Sequence, residues 1–118
     1  MPPGARLLLI DDEPTLLDLL KKYLERLGYE VDACLSAEDA LTRFEADPDG
    51  YALVFTDLTL PGMNGEEMVE RMRLQRPGLR TLIASGYPYV PRSKQVVFLQ
   101  KPFLPKMLAE TIEKLLAR

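Results

Sequence analysis

Asp57 closes the apolar run Tyr51-Ala52-Leu53-Val54-Phe55-Thr56, and the pair Asp11-Asp12 closes a similar run, Leu7-Leu8-Leu9-Ile10. A buried strand ends where the chain first reaches water, so acids at these positions line a rim instead of entering the core. Ligands bind at that rim in open α/β sheets. Ser85 follows the run Thr81 to Ala84 and Lys101 follows the run Val96 to Leu99, which brings a hydroxyl and an ammonium to the same edge. Carboxylates crowded to about 5 Å in an effective dielectric near 20 repel by on the order of 3 kcal/mol per pair, so a cation must offset them. The chemistry that suits this set is phosphoryl transfer. Carboxylates hold a hard cation such as Mg²⁺ through oxygen, the cation and lysine neutralise charge on the transferring group, and a hydroxyl adds a hydrogen bond. Asp57, between the acids of the first strand and the lysine of the fifth, is the carboxylate best placed to attack phosphorus. The chain has no histidine, which removes the usual general base, the usual metal ligand and any phosphohistidine of its own.

The elements that must position these groups alternate. After a flexible arm, residues 1–5, a strand is expected over Arg6 to Ile10, followed by a helix from Pro14 that stops at Gly28. Leu16, Leu17, Leu20, Tyr23, Leu24 and Leu27 recur at three-and-four spacing and form its inward stripe. A strand near Tyr29 to Cys34 precedes Ser36-Ala37-Glu38-Asp39, a capping box for a helix with Ala37, Ala40, Leu41 and Phe44 inward. The loop from Leu58 to Gly65 precedes a helix with Met68, Val69 and Met72 inward, and a last helix near Leu104-Pro105 turns Leu108, Ile112, Leu115 and Leu116 inward. Such alternation indicates one doubly wound five-stranded α/β parallel sheet with right-handed crossovers and helices on both faces. The crossover between the fourth and fifth strands is thin. Only Gly86 to Gln95 can serve, and Pro88 and Pro91 deny donors to a helix, so a single turn or a loop is expected.

At 118 residues the chain is one domain with a single compact core. A net charge of −3 with mixed signs leaves no basic stripe for nucleic acid and no cationic face for lipid. The single cysteine, Cys34, lies between Ala33 and Leu35, cannot form an internal disulfide and reads as a buried thiol. No apolar stretch approaches membrane-spanning length, and a cytoplasmic location with no membrane contact is expected.

Leu9-Ile10-Asp11-Asp12-Glu13-Pro14, Asp57-Leu58-Thr59-Leu60-Pro61-Gly62-Met63-Asn64-Gly65, Ser85-Gly86-Tyr87 and Lys101-Pro102-Phe103, in this order and spacing, resemble the signature of response-regulator receiver domains. The resemblance implies strand order 2-1-3-4-5 (flavodoxin-like) and phosphorylation of Asp57 by a histidine kinase or a histidine phosphotransfer domain. It implies Mg²⁺ held by Asp12, Asp57 and the Thr59 carbonyl, with Asp11 acting through a water. Lys101 would pair with Asp57 or its phosphate across a cis Lys101-Pro102 bond, Ser85 would turn toward the phosphoryl oxygens, and Phe98 would be the switch aromatic. Many relatives have tyrosine at that position. By the same resemblance Thr59 and Tyr87 flank the site and influence hydrolysis. The short Gly86 to Gln95 crossover is most similar to receivers at the C-terminus of hybrid histidine kinases, so the chain is either such a piece or a stand-alone regulator.

Rival readings remain at this level. The acids near Pro14 also suit a capped helix start; Lys101 alone suits a surface lysine, Ser85 alone a turn, and Phe98 plain core. Asp57-Leu58-Thr59 faintly resembles the aspartyl-nucleophile phosphatases of the haloacid-dehalogenase type, although those carry an acid where Thr59 stands, and threonine protonates a leaving group poorly. A third reading is an interaction module that is never phosphorylated. The phosphatase reading is the enzyme-class alternative; in the receiver reading the chain is not a conventional enzyme and assists only its own phosphorylation and dephosphorylation.

Overall fold

The computed structural model describes residues 4–91 and 95–117. Five parallel strands, β1 (Arg6–Ile10), β2 (Glu30–Cys34), β3 (Leu53–Asp57), β4 (Arg80–Ser85) and β5 (Val96–Gln100), lie in the order β2-β1-β3-β4-β5. Helices α1 (Pro14–Arg26) and α4 (Pro105–Leu116) cover one face, and α2 (Ala37–Ala46) and α3 (Gly65–Gln75) cover the other. Alternate residues of β1 explain the two layers: Leu7 and Leu9 join the α1/α4 core, whereas Leu8 and Ile10 join the α2/α3 core. All four are fully buried, as a central strand covered on both faces requires. No helix among the described residues is long and apolar enough to cross a membrane.

The expected strand order and helix faces are those observed, with local differences. Leu27 is 55% exposed instead of inward, because α1 ends one residue earlier and Gly28, at φ +102°, turns the chain toward β2. Glu13 caps α1 by accepting the Thr15 N–H, and Asp11 accepts the Glu13 N–H. Ser36 caps α2 through the Asp39 N–H. Asp57 and Ser85 are the last residues of their strands, held in the ladder, where the sequence suggested they would follow it. Of the N-terminal arm, residues 1–3 lie outside the described residues; the Gly4 N–H donates to Gly28 O, and Ala5 O accepts from the Glu30 N–H. Gly86–Pro91 contains no helix, and residues 92–94 of that crossover lie outside the described residues.

Two local devices carry measurable consequences. A Cβ added at Gly65 would lie 2.3 Å from the carbonyl oxygen of Asp57, because the Gly65 N–H closes the loop onto Leu58 O at 2.9 Å. Backbone cannot step aside as a side-chain tip can, so Gly65→Ala lowers unfolding free energy by roughly 2–3 kcal/mol in urea denaturation. At the opposite end of the sheet, Tyr51 is buried, donates to Asp32 at 2.5 Å and stacks on Phe44, while Arg6 lies over its ring and pairs with Asp32 at 2.9 Å. Burial first, and then the bond to Asp32, push the phenol from 10.0 to about 12. The folded protein therefore holds this proton more tightly than the unfolded chain. Stability is fully present below pH 10 and falls by on the order of 2 kcal/mol as pH rises toward 12. Denaturant midpoints measured across that window detect the slope, and Tyr51→Phe flattens it.

Candidate functional site

The C-terminal ends of β1, β3 and β4 and the residue after β5 converge on one pocket. One carboxylate oxygen each of Asp11, Asp12 and Asp57 lies within 4.8 Å of the others. Lys101 Nζ bridges two of them, at 3.2 Å from Asp11 Oδ2 and 3.3 Å from Asp57 Oδ2. Asp11 is fully buried, Asp57 is 9% exposed and Asp12 is exposed, so the cluster is graded from protein interior to solvent. Burial pushes the Asp57 carboxyl above its ordinary value; Asp11 and Asp12 push the same way against Lys101. Burial acts to lower the Lys101 ammonium, but Asp11 and Asp57 outweigh it and raise it, so the lysine stays charged at neutral pH.

Backbone holds these groups in place. The β3–β4 register sets Asp57 against Ala84, with the Leu58 N–H donating to Ala84 O at 2.8 Å. Ser85 is buried beside it, and its carbonyl accepts the Lys101 N–H at 2.8 Å, which ties β4 to the lysine. The Lys101–Pro102 peptide is cis. Ser85 Oγ accepts the Tyr87 N–H at 3.2 Å, and the Thr59 and Tyr87 hydroxyls are hydrogen-bonded at 2.9 Å beside the pocket. Phe98 is half-buried on β5, its ring 6.0 Å from that of Tyr89.

Every residue singled out from the sequence except Phe98 thus lies at or next to this rim. Direct pairing of Asp11 with Lys101 was not assigned from the sequence, since a part-buried ion pair 90 positions apart leaves no local signal. Tyr89, whose hydroxyl donates to Glu66 on α3, was also missed. An aromatic set between Pro88 and Pro91 was the available sign.

A model of the response regulator receiver domain matches residues 7–113. The chain belongs to that family. Among curated relatives of this receiver domain, the regulatory protein VanRB of Enterococcus faecalis is 33% identical, aligned over 98% of this chain and 54% of that protein. The receiver protein CpdR of Brucella abortus is 32% identical over 94% of this chain and 96% of its own length. The chain spans only 14% and 22% of two plant two-component response regulators, ARR11 and ARR14 of Arabidopsis thaliana. Among solved structures, the receiver of the hybrid histidine kinase CckA superposes with TM-score 0.86 at 28% identity, covering 95% of this chain and 99% of that one. TrrA of Thermotoga maritima, solved in complex with Mg²⁺–BeF, superposes with TM-score 0.80 at 29% identity over 94% and 98%.

The donor set fits a hard divalent cation. Carboxylate oxygens are the ligands such ions take, and the exposed Asp12 side leaves room for retained waters.

Proposed function

We propose that Asp57 accepts a phosphoryl group from the phosphohistidine of a histidine kinase or phosphotransfer domain in the cytoplasm, and that the acyl phosphate alters the surface around β5. The observation that carries this reading is the bridge from Lys101 to Asp57 at 3.3 Å within a three-carboxylate cluster. Asp57 Oδ attacks phosphorus, the P–N bond to the donor imidazole breaks, and the leaving nitrogen takes the electron pair. The Lys101 ammonium stabilises charge on the transferring oxygens, and Ser85, buried at the end of β4 one residue past Ala84, the β4 partner of Asp57, donates to them. Mg²⁺, held by Asp12, Asp57 and the Thr59 carbonyl with Asp11 behind them, supplies charge neutralisation when bound. TrrA, a relative by structure, was solved with Mg²⁺–BeF, which supports the assignment.

Beside Lys101, Leu16, Pro102 and Phe103 line an apolar cleft, and Leu104 and Met107 on the adjoining α4 start are 66% and 44% exposed. A donor whose histidine must reach Asp57 has this surface next to its target, and we assign it to the donor's helical face. Incubation with acetyl phosphate and Mg²⁺, followed by intact-mass measurement, tests the reading: one phosphoryl group is gained per chain. Repeated release of phosphate from small phosphoesters would instead favour a phosphatase.

Mass action adds an expectation for the metal. A cation that binds only the folded state raises the melting temperature, so Mg²⁺ at 100 times its Kd stabilises by about 2.7 kcal/mol. Asp12 has no ion pair to Lys101 among the described contacts, so in metal-free buffer Asp12→Ala melts slightly above wild type, and most of the Mg²⁺ effect disappears. Calorimetry with and without Mg²⁺ checks both.

A further inference from the structure

Gln100, the last residue of β5, is exposed and is no part of the carboxylate cluster. Its side-chain nitrogen nevertheless donates to two carbonyls, Ser85 O at 3.3 Å and Lys101 O at 3.0 Å. Both partners can only accept, so the nitrogen of the amide, not its oxygen, must face them. The backbone shows what these bonds replace. In a parallel ladder a paired residue donates its N–H to one carbonyl across the sheet, and its own carbonyl accepts the N–H two residues further along that neighbouring strand. Lys101 makes the first of these bonds, its N–H to Ser85 O at 2.8 Å, and the donor due to its carbonyl is the Tyr87 N–H. That N–H is turned to Ser85 Oγ instead. Among the described contacts, Gln100 is the one donor to the Lys101 carbonyl.

We propose that Gln100 is a positioning residue for phosphoryl transfer: by clamping the carbonyls of Ser85 and Lys101 it keeps the Lys101 ammonium between Asp11 and Asp57. The inference rests on Asp57 being the phosphoacceptor. Gln100 touches no reacting atom and acts through Lys101. A lysine reaches its target on a long flexible stem, so its ammonium keeps one position only if the root of the stem is held. Here the peptide units on both sides of Lys101 are held, one through its N–H to Ser85 O and the other through its carbonyl to Gln100. The second bond of the Gln100 amide, to Ser85 O, ties that carbonyl back to β4. Lys101 Nζ lies 3.2 Å from Asp11 and 3.3 Å from Asp57, a bridge that a small rotation of the root would break. Each neutral hydrogen bond shifts a conformational equilibrium by roughly twofold to tenfold, and exposed ones fall at the low end. Loss of both therefore lowers the share of molecules with the ammonium in place, and with it the transfer rate, by about fivefold.

The test is the rate of phosphoryl mass gain from acetyl phosphate and Mg²⁺, followed by intact mass in about 1 M salt so that no added charge draws the donor from a distance. Gln100→Met keeps the length of the side chain, loses both donors and slows uptake about fivefold, with the circular dichroism of wild type. Gln100→Arg sets an N–H at the same place along the side chain and recovers most of the loss. In Lys101→Met protein the Gln100→Met change has no further effect, because the amide acts through the ammonium. A weakened fold would slow both backgrounds alike. Uptake by Gln100→Met at the wild-type rate, an equal slowing in the Lys101→Met background, or no recovery with Gln100→Arg overturns the clamp, while mass gain by wild type leaves the phosphoacceptor reading standing. Absence of mass gain in wild type defeats that reading, and the clamp with it.

Discussion

Asp57→Asn protein takes up no phosphoryl group from acetyl phosphate and Mg²⁺, and in metal-free buffer it resists urea better than wild type. The first effect is a loss beyond a hundredfold, because an amide lacks the anionic oxygen that attacks phosphorus. The second follows from the electrostatics of the pocket. Burial and two neighbouring acids hold the Asp57 carboxyl above its ordinary range, against the pull of Lys101. For an acid with a raised folded-state value, the ionised form costs stability at neutral pH, and that cost is relieved as pH falls through the folded value. Asparagine is isosteric and uncharged, so it removes two repulsions and one attraction, a net gain on the order of 1–2 kcal/mol. The gain shrinks when wild type and variant are compared at acid pH. Intact mass and urea midpoints at pH 4 and pH 7 measure both parts; a variant that still gains the phosphoryl mass removes Asp57 as acceptor.

Lys101→Met has the opposite sign in stability. Its ammonium is the cation within 3.2 Å of Asp11, a carboxylate whose side chain is only 1% exposed. Removing one partner of a buried pair leaves an uncompensated charge, which destabilises by roughly 3 kcal/mol. Because the bridge depends on a lysine whose value is raised, its contribution is present at neutral pH and is lost as pH climbs through the folded lysine value, as it also is when the partner carboxylates are protonated at low pH. A divalent cation in the same cluster replaces part of the missing charge. Mg²⁺ therefore raises the melting temperature of Lys101→Met more than that of wild type, while phosphoryl uptake falls well below the wild-type rate. Equal Mg²⁺ responses in the two proteins would show that lysine and metal do not neutralise the same carboxylates.

The opposed signs expose a division of labour among residues that look alike in sequence. Asp11 and Asp12 are adjacent, yet one is sealed against Lys101 and the other faces solvent. The adjacent peptide units at a strand end send successive side chains to different sides, so one acid is fixed by the protein while the other remains available to a metal. Both substitutions above act on the fixed set; Asp12→Ala acts on the open one.

Strand and helix identities, the two-faced core and the meeting of Asp11, Asp12, Asp57, Ser85 and Lys101 were readable without coordinates. Apolar runs that end in acid, hydroxyl or lysine encode a parallel sheet with one chemical edge, since periodicity and strand direction are local properties summed along the chain. Leu27 misled because three-and-four spacing continues past the point where Gly28 turns the backbone. Only the tertiary structure decided which carboxylate takes the lysine, that Tyr51, Asp32 and Arg6 close the far end of the sheet, and that Tyr89 lies against α3 and Phe98. Those outcomes depend on distances between segments remote in the chain and on the burial each partner finds there, and neither quantity is written in any local stretch of sequence.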